Sequence, residues 1–228
     1  MKKLGLTGNQ LKLLAVITMT IDHVGAYLLP QILWLRIVGR LAFPIYAFMI
    51  AEGCRHTRNM LRYLGSVAGM AALCQVVLYV VNGSLEMCIL VTFTLSILVI
   101  LLLQQAQKSA FWGVLGLAAV VAAYYVTEQL PGQLSSDFRV EYDFLGVMLP
   151  VLIWAGKGKW QSLGLCALVL LLLGMNNSIQ MYALLALLPL GLYNGQRGKY
   201  NLKGFFYWYY PVHLVVIYAI GYLLDRFL

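Results

Sequence analysis

Asp22 and His23 stand together inside an apolar run from Leu11 to Pro30, and Arg36 and Arg40 stand inside the next one, Ile32 to Ile50. An acid, an imidazole and two guanidiniums are the parts of a proton-transfer or anion-stabilising site. In hydrocarbon each such group costs roughly 2.5–3.5 kcal/mol on insertion scales, so it occurs there paired or at work. Arg36 and Arg40 are an i,i+4 pair and share one helix face. A hairpin around Pro30 brings them to the depth of Asp22 and His23. Successive helical residues point about 100° apart, so Asp22 faces an arginine rather than the imidazole beside it.

Lys12 precedes His23 by eleven residues. Eleven helical steps make three turns plus about 20°, which puts both side chains on one face, about 16 Å apart along the axis. An ammonium at the membrane edge and an imidazole beyond mid-membrane make a ruler for a long ligand with phosphates at one end. An acyl-coenzyme A has that shape. The plain alternative is a topology anchor at Lys12 and a satisfied core histidine at His23. Glu52 and the sequence Arg55-His56-Thr57-Arg58 close the second run, and Arg55, Arg58 and Arg62 follow helical spacing. They suit lipid headgroups or the phosphates of a cytosolic cofactor. His213 lies eight residues into the last run, behind Tyr207, Tyr210 and Pro211. Pro211 has no N–H, so the carbonyl of Tyr207 loses its helical partner beside a buried histidine. Asp143, in Glu141-Tyr142-Asp143, marks the mouth of the sixth run, as a helix cap or facing an incoming acceptor.

The elements that must position these groups are apolar helices. Of 228 residues, 62% are hydrophobic and 11% charged, against about 25% charge in a soluble domain. The chain reads as an all-α, polytopic transmembrane bundle, a single domain over 1–228. About nine spans are expected, near 11–30, 32–52, 63–81, 87–104, 110–127, 144–156, 160–175, 179–193 and 205–224. Several are short, 144–156 above all. With the N-terminus in the cytoplasm, Lys2, Lys3, Lys12, Arg55, Arg58, Arg62, Lys108, Lys157, Lys159, Arg197, Lys199 and Lys203 fall inside. Arg139 and Arg226 fall outside with Glu86, Glu128, Asp137, Glu141, Asp143 and Asp225. That asymmetry puts the C-terminus outside. It also assigns the net charge of +8 to topology rather than to nucleic acid.

Met1-Lys2-Lys3 resembles a signal-peptide start, but no cleavage site follows, so the first run reads as a retained span. Cys54, Cys74, Cys88 and Cys166 lack metal or disulfide spacing and read as apolar fillers, and no metal is expected. Gly65 and Gly69 make a small-xxx-small pair for close helix packing. Asn82-Gly83-Ser84 has glycosylation spacing, which chance explains.

The chain resembles the TraX family of membrane proteins, which takes its name from the protein that acetylates F-pilin. The resemblance rests on Leu11-Lys12-Leu13-Leu14-Ala15, Met19 to Gly25, Gly39-Arg40-Leu41-Ala42-Phe43-Pro44-Ile45, Glu52-Gly53, and Thr57-Arg58-Asn59. It continues through Tyr142 to Val147, Tyr193-Asn194-Gly195, and Phe206 to His213. The family looks distantly similar to the acyltransferase-3 group, whose basic residue, ten-residue gap and catalytic histidine match Lys12 and His23. That group's Arg-x-x-Arg resembles Arg55 to Arg58.

The resemblance implies an acyltransferase of the bacterial plasma membrane, taking acetyl from cytosolic acetyl-CoA. The acceptor, at or beyond the outer face, is a hydroxyl or amine of a peptide, glycan or lipid. His23 is then the general base. Asp22, Arg36 and Arg40 organise its pocket. Lys12, Arg55, Arg58 and Arg62 hold the donor's phosphates, with Glu52, Asp143, Tyr207, Tyr210 and His213 lining the site. A transporter, or a structural membrane protein with a buried ion-pair network, is the alternative. The orientation is checked with reporters fused after Leu228. A periplasm-active reporter there should be active and a cytoplasm-active one silent.

Overall fold

A computed structural model describes residues 4–83, 85–106, 108–134 and 137–227, without the side chains of Asn82, Lys203, Asp225 and Phe227. Met1, Lys2, Lys3 and Ser84, and with them the signal-like start and the end of the glycosylation triplet, lie outside the described residues, as do the Lys203 and Asp225 side chains. In chain order the elements are α1 (Gly8–Tyr27), α2 (Leu33–Gly39), α3 (Ala42–His56), α4 (Met60–Asn82), β1 (Glu86–Met87), α5 (Ile89–Ala106) and α6 (Ala110–Tyr124). They continue with α7 (Pro131–Leu134), β2 (Arg139–Val140), α8 (Asp143–Ala155), α9 (Lys159–Asn176), α10 (Leu187–Gly191) and α11 (Lys203–Phe227). A π turn, Tyr125–Gln129, extends α6, and a 3₁₀ stretch, Ser178–Ala186, leads into α10.

The all-helical class is observed. Among the described residues the strand pairing consists of β1 parallel to β2, Glu86 against Arg139 and Met87 against Val140, and an isolated parallel bridge between Leu6 and Tyr193. Among the described residues six helices are long and apolar enough to cross a membrane: Leu33–His56, Met60–Val81, Ile89–Ala106, Ala110–Gln129, Lys159–Asn176 and Gly204–Leu224. The expected second span, 32–52, is the pair α2 and α3, interrupted at Arg40 and Leu41. The expected sixth and eighth spans correspond to the shorter apolar helices Asp143–Ala155 and Ser178–Gly191.

The chain divides into two compact units, Met1–Met49 with Cys166–Leu228, and Ile50–Leu165. In the first, α1 buries Leu11, Ala15, Thr18 and Met19, one stripe at helical spacing. On α11 the buried stripe is Tyr210, His213, Leu214 and Ile217. Val212, Val215, Val216 and Ile220 of α11 are exposed and apolar, as a lipid-facing side requires. Thr7 caps α1 in a capping box with Gln10. The segment after α10 straps this helix end: the amides of Gly8 and Asn9 donate to the carbonyls of Gln196 and Arg197, and the buried Asn9 amide donates to the Tyr200 carbonyl.

In the second unit α5 is the core, with Phe93, Ile97 and Ile100 buried. Its buried Ser96 hydroxyl donates to the Val147 carbonyl of α8 at 2.7 Å, and the Thr92 hydroxyl donates to the Glu141 carbonyl at 2.8 Å. Tyr142 and Asp143 enter α8 with φ of 63° and 52°, a left-handed pair rare outside glycine. Ahead of the apolar part of α8, partial desolvation and the Glu128 carboxylate raise the Asp143 carboxyl above its ordinary range, against the pull of Arg139.

Arg55 closes the other end of α8. One guanidinium nitrogen donates to Glu52 Oε1 at 2.8 Å. The other donates to the carbonyls of Ile153, Trp154 and Gly156 and to the Ser162 hydroxyl. The Ile153 carbonyl also accepts from the Gly156 amide, but the last carbonyls of a helix run out of amide partners, and a cation there also opposes the helix dipole. Ser162 is fully buried and itself donates to the Ile153 carbonyl. Arg55→Met leaves Glu52 and the end of α8 without this donor. Its cost should be about 3 kcal/mol, the low end for breaking a largely buried pair, read as a lowered thermal midpoint in detergent.

Candidate active site

The first unit brings five of the expected residues together: Asp22, His23, Arg36, Arg40 and His213. Asp22 is gripped from both sides of its carboxylate. Arg36 donates to Oδ2 at 2.8 Å and Arg40 donates to Oδ1 at 2.5 Å. Arg36 also donates to the Asp22 backbone carbonyl at 3.1 Å. The Arg40 side chain is 7% exposed and that of Asp22 14%. Two guanidiniums against one carboxylate leave the cluster with a surplus positive charge.

This arrangement depends on close approach of α1 and α2. A methyl group on Gly39 would overlap the side chain of Asp22, and one on Gly25 would lie 2.6 Å from Leu35 Cβ. Only hydrogen at these two positions lets the carboxylate reach both arginines. The weak helix propensity of Gly39 also suits the break that follows it, where α2 ends and Arg40 begins the turn into α3.

His23 faces a different side of α1, toward α11. Its Nδ1 lies 2.7 Å from His213 Nε2, and the two rings lie edge to edge with centroids 4.9 Å apart and planes 10° apart. His213 Nδ1 is 2.9 Å from the Tyr209 carbonyl. The Tyr209 ring stacks on His213 at 5.1 Å, and its hydroxyl is 2.7 Å from that of Thr20 on α1. The buried Tyr210 packs edge-on to both imidazoles, and Tyr27 stands 6.0 Å from His23. Helix α11 runs on through Pro211.

Lys12 lies on the same face of α1, its ammonium 5.6 Å from the Phe206 ring centroid of α11. Contacts at Lys12, Thr20 and His23 thus meet Phe206, Tyr209 and His213 in the same order, so α1 and α11 run in the same direction. Tyr207 is half-buried on α11.

Other expected residues belong to the second unit. Arg55 and Glu52 bind each other, and Arg55 binds the end of α8. Arg58, Arg62 and His56 are exposed. Asp143 stands at the head of α8, near Glu128 and Arg139. The four cysteines are buried free thiols.

Gly39, Thr20, Tyr27 and Tyr209 are contributors that spacing alone does not single out. Gly39 carries one signal, its place directly before a membrane arginine.

A helical membrane protein with a closed acid–arginine triad and a histidine pair on neighbouring helices is the class these features define. The chain belongs to the TraX family, whose profile, described as TraX protein, matches residues 7–221. It is similar to an uncharacterized protein of Rickettsia prowazekii, 58% identical over 38 residues, or 17% of this chain and 15% of that one. It is also similar to a probable fimbrial assembly protein of Dichelobacter nodosus, serogroup H1, 39% identical over 70 residues, or 29% of each chain. The chain therefore covers less than a third of the length of either relative. No solved structure matches it.

Gly39→Ala should separate α1 from α2 and cost about 1–3 kcal/mol, the range for overfilling a packed site. Gly65→Ala, with open space around it, should leave the thermal midpoint unchanged in the same assay.

Proposed function

We propose that the chain is a plasma-membrane acyltransferase, moving acetyl from cytosolic acetyl-CoA to an acceptor hydroxyl or amine at the outer face. One observation carries the reading. A polar, partly enclosed imidazole at His23 sits next to a paired acid–arginine cluster, on the helix face that also bears Lys12. His23 takes the acceptor's proton as the acceptor attacks the thioester carbon. The new C–O or C–N bond forms, the C–S bond breaks, and coenzyme A leaves. A positioned base of this kind contributes about 10²–10⁴-fold. The surplus positive charge of Arg36 and Arg40 steadies the oxyanion. Lys12 holds donor phosphates at the cytoplasmic end. Arg58 and Arg62 meet anionic phosphate groups at the cytoplasmic surface. Arg55, committed to α8, is left out of this role.

About nine spans with the N-terminus inside and the C-terminus outside accompany this reading. The shared direction of α1 and α11 is what that arrangement requires of its first and last spans, although α1 is not among the six described helices long and apolar enough to cross. The strap carrying Arg197 and Lys199 lies at the Lys12 end of α1, which supports grouping those cations on one side. Family membership and the fimbrial assembly relative favour a pilin-type subunit as acceptor.

The mutual closure of Asp22, Arg36 and Arg40 also fits a non-catalytic ion-pair network, as in a transporter. The readings separate on labelled acetyl-CoA incubated with membranes containing the protein. Transfer of label should fall at least a hundredfold in His23→Ala. A folded His23→Ala protein with full transfer removes the catalytic assignment.

A further inference from the structure

Among the described residues His213 is the hydrogen-bond partner of the His23 ring, its Nε2 on His23 Nδ1, and its own bonding fixes where the protons lie. A backbone carbonyl only accepts, so His213 Nδ1, 2.9 Å from the Tyr209 carbonyl, carries a hydrogen. With two guanidiniums already facing one carboxylate, the resting imidazole pair is neutral. His213 Nε2 is then bare and accepts the hydrogen of His23 Nδ1 across 2.7 Å. By the same count His23 Nε2 is bare. The ring that faces substrate therefore presents a lone pair, although a free imidazole favours the opposite tautomer with the proton on Nε2.

We propose that His213 is a positioning residue and proton relay, which holds His23 in the Nδ1–H tautomer and takes up the proton that His23 removes from the acceptor. This rests on the acyltransfer reading for its chemistry, and on hydrogen-bond geometry together with the neutrality of the resting pair for the tautomer. As the acceptor O–H or N–H bond breaks, an N–H bond forms at His23 Nε2. The His23 Nδ1–H bond breaks and an N–H bond forms at His213 Nε2. His23 ends neutral, and His213 ends as an imidazolium whose Nδ1–H stays on the Tyr209 carbonyl. The positive charge thereby moves from α1 to α11. The departing coenzyme A thiolate takes one proton, and the same path in reverse restores the pair.

Three features fit a relay better than simple core filling. The rings are parallel and nitrogen-to-nitrogen, a geometry that apolar packing does not need. Tyr209 clamps the second ring from its face while its hydroxyl bonds Thr20 of the helix carrying His23. Tyr210 packs against both imidazoles and keeps them in register.

The chain has three histidines, so ring-¹⁵N-labelled protein in bilayers, on a His56→Gln background, gives a spectrum of two imidazoles. Both should show a protonated Nδ1 and a bare Nε2, with a coupling across the His23–His213 bond that needs no variant. His213→Leu should shift His23 toward the Nε2–H form and lower kcat roughly a hundredfold, with KM for acetyl-CoA within about twofold. His213→Gln, whose amide oxygen can accept from His23 Nδ1, should restore the tautomer and recover part of kcat. A protonated His23 Nε2 in the parent protein, or no coupling between the rings, overturns the relay. The expected tautomers without any acetyl transfer would preserve the hydrogen-bond assignment and overturn its catalytic use. Transfer with full kcat in His213→Leu would overturn the relay while leaving the acyltransferase reading intact.

Discussion

The grip of Arg36 and Arg40 on Asp22 is the constraint from which the rest of the first unit follows. Three ionised side chains inside an apolar helical unit are tolerable only when their hydrogen-bonding groups meet one another. The carboxylate can meet both guanidiniums only if α1 and α2 approach closely, which is why Gly25 and Gly39 stand at the crossing. Once α1 is fixed against α2 through Asp22, helical geometry turns the next side chain, His23, to another face. The ion cluster thus orients the imidazole without bonding to it.

The partner on that other face comes from the far end of the chain. Helix α11 supplies His213, Tyr209 and Tyr210, and α1 answers with His23 and Thr20. These polar contacts sit within apolar stripes that bury Leu11, Ala15 and Met19 on one helix and Leu214 and Ile217 on the other. The stripes set the helix pairing and the polar atoms set its register, because a slip of one turn would leave buried imidazole nitrogens unpaired. The strap between α10 and α11 fixes the same register from the end of α1, through the carbonyls of Gln196, Arg197 and Tyr200.

The second unit solves a similar problem by a different device. Helix α8 is short and contains Pro150, and Arg55 donates to its terminal carbonyls. The basic cluster around the end of α3 therefore divides by local chemistry. Arg55 turns to protein acceptors, while Arg58 and Arg62 stay exposed. Spacing along a helix could group the three as one face, but it carries no information about where the end of α8 lies.

Much of this was legible in the residues. The cost of charge in hydrocarbon and the 3.6-residue period are local properties, so helical class, the Asp22–arginine pairing and the turn of His23 about 100° away from Asp22 could be read from composition and spacing. Nine apolar runs were legible too, but six helices among the described residues have the length and apolarity to cross a membrane, because helix ends depend on breaks such as Gly39–Arg40 and on the irregular 3₁₀ stretch. The bond between His23 and His213 joins residues 190 positions apart. Neither that contact, nor the demand for glycine at Gly39, nor the engagement of Arg55 is written in any local pattern, since each depends on which helices become neighbours and at what distance. The sequence by itself determined which polar groups must find partners inside an apolar fold; the tertiary packing decided who those partners are.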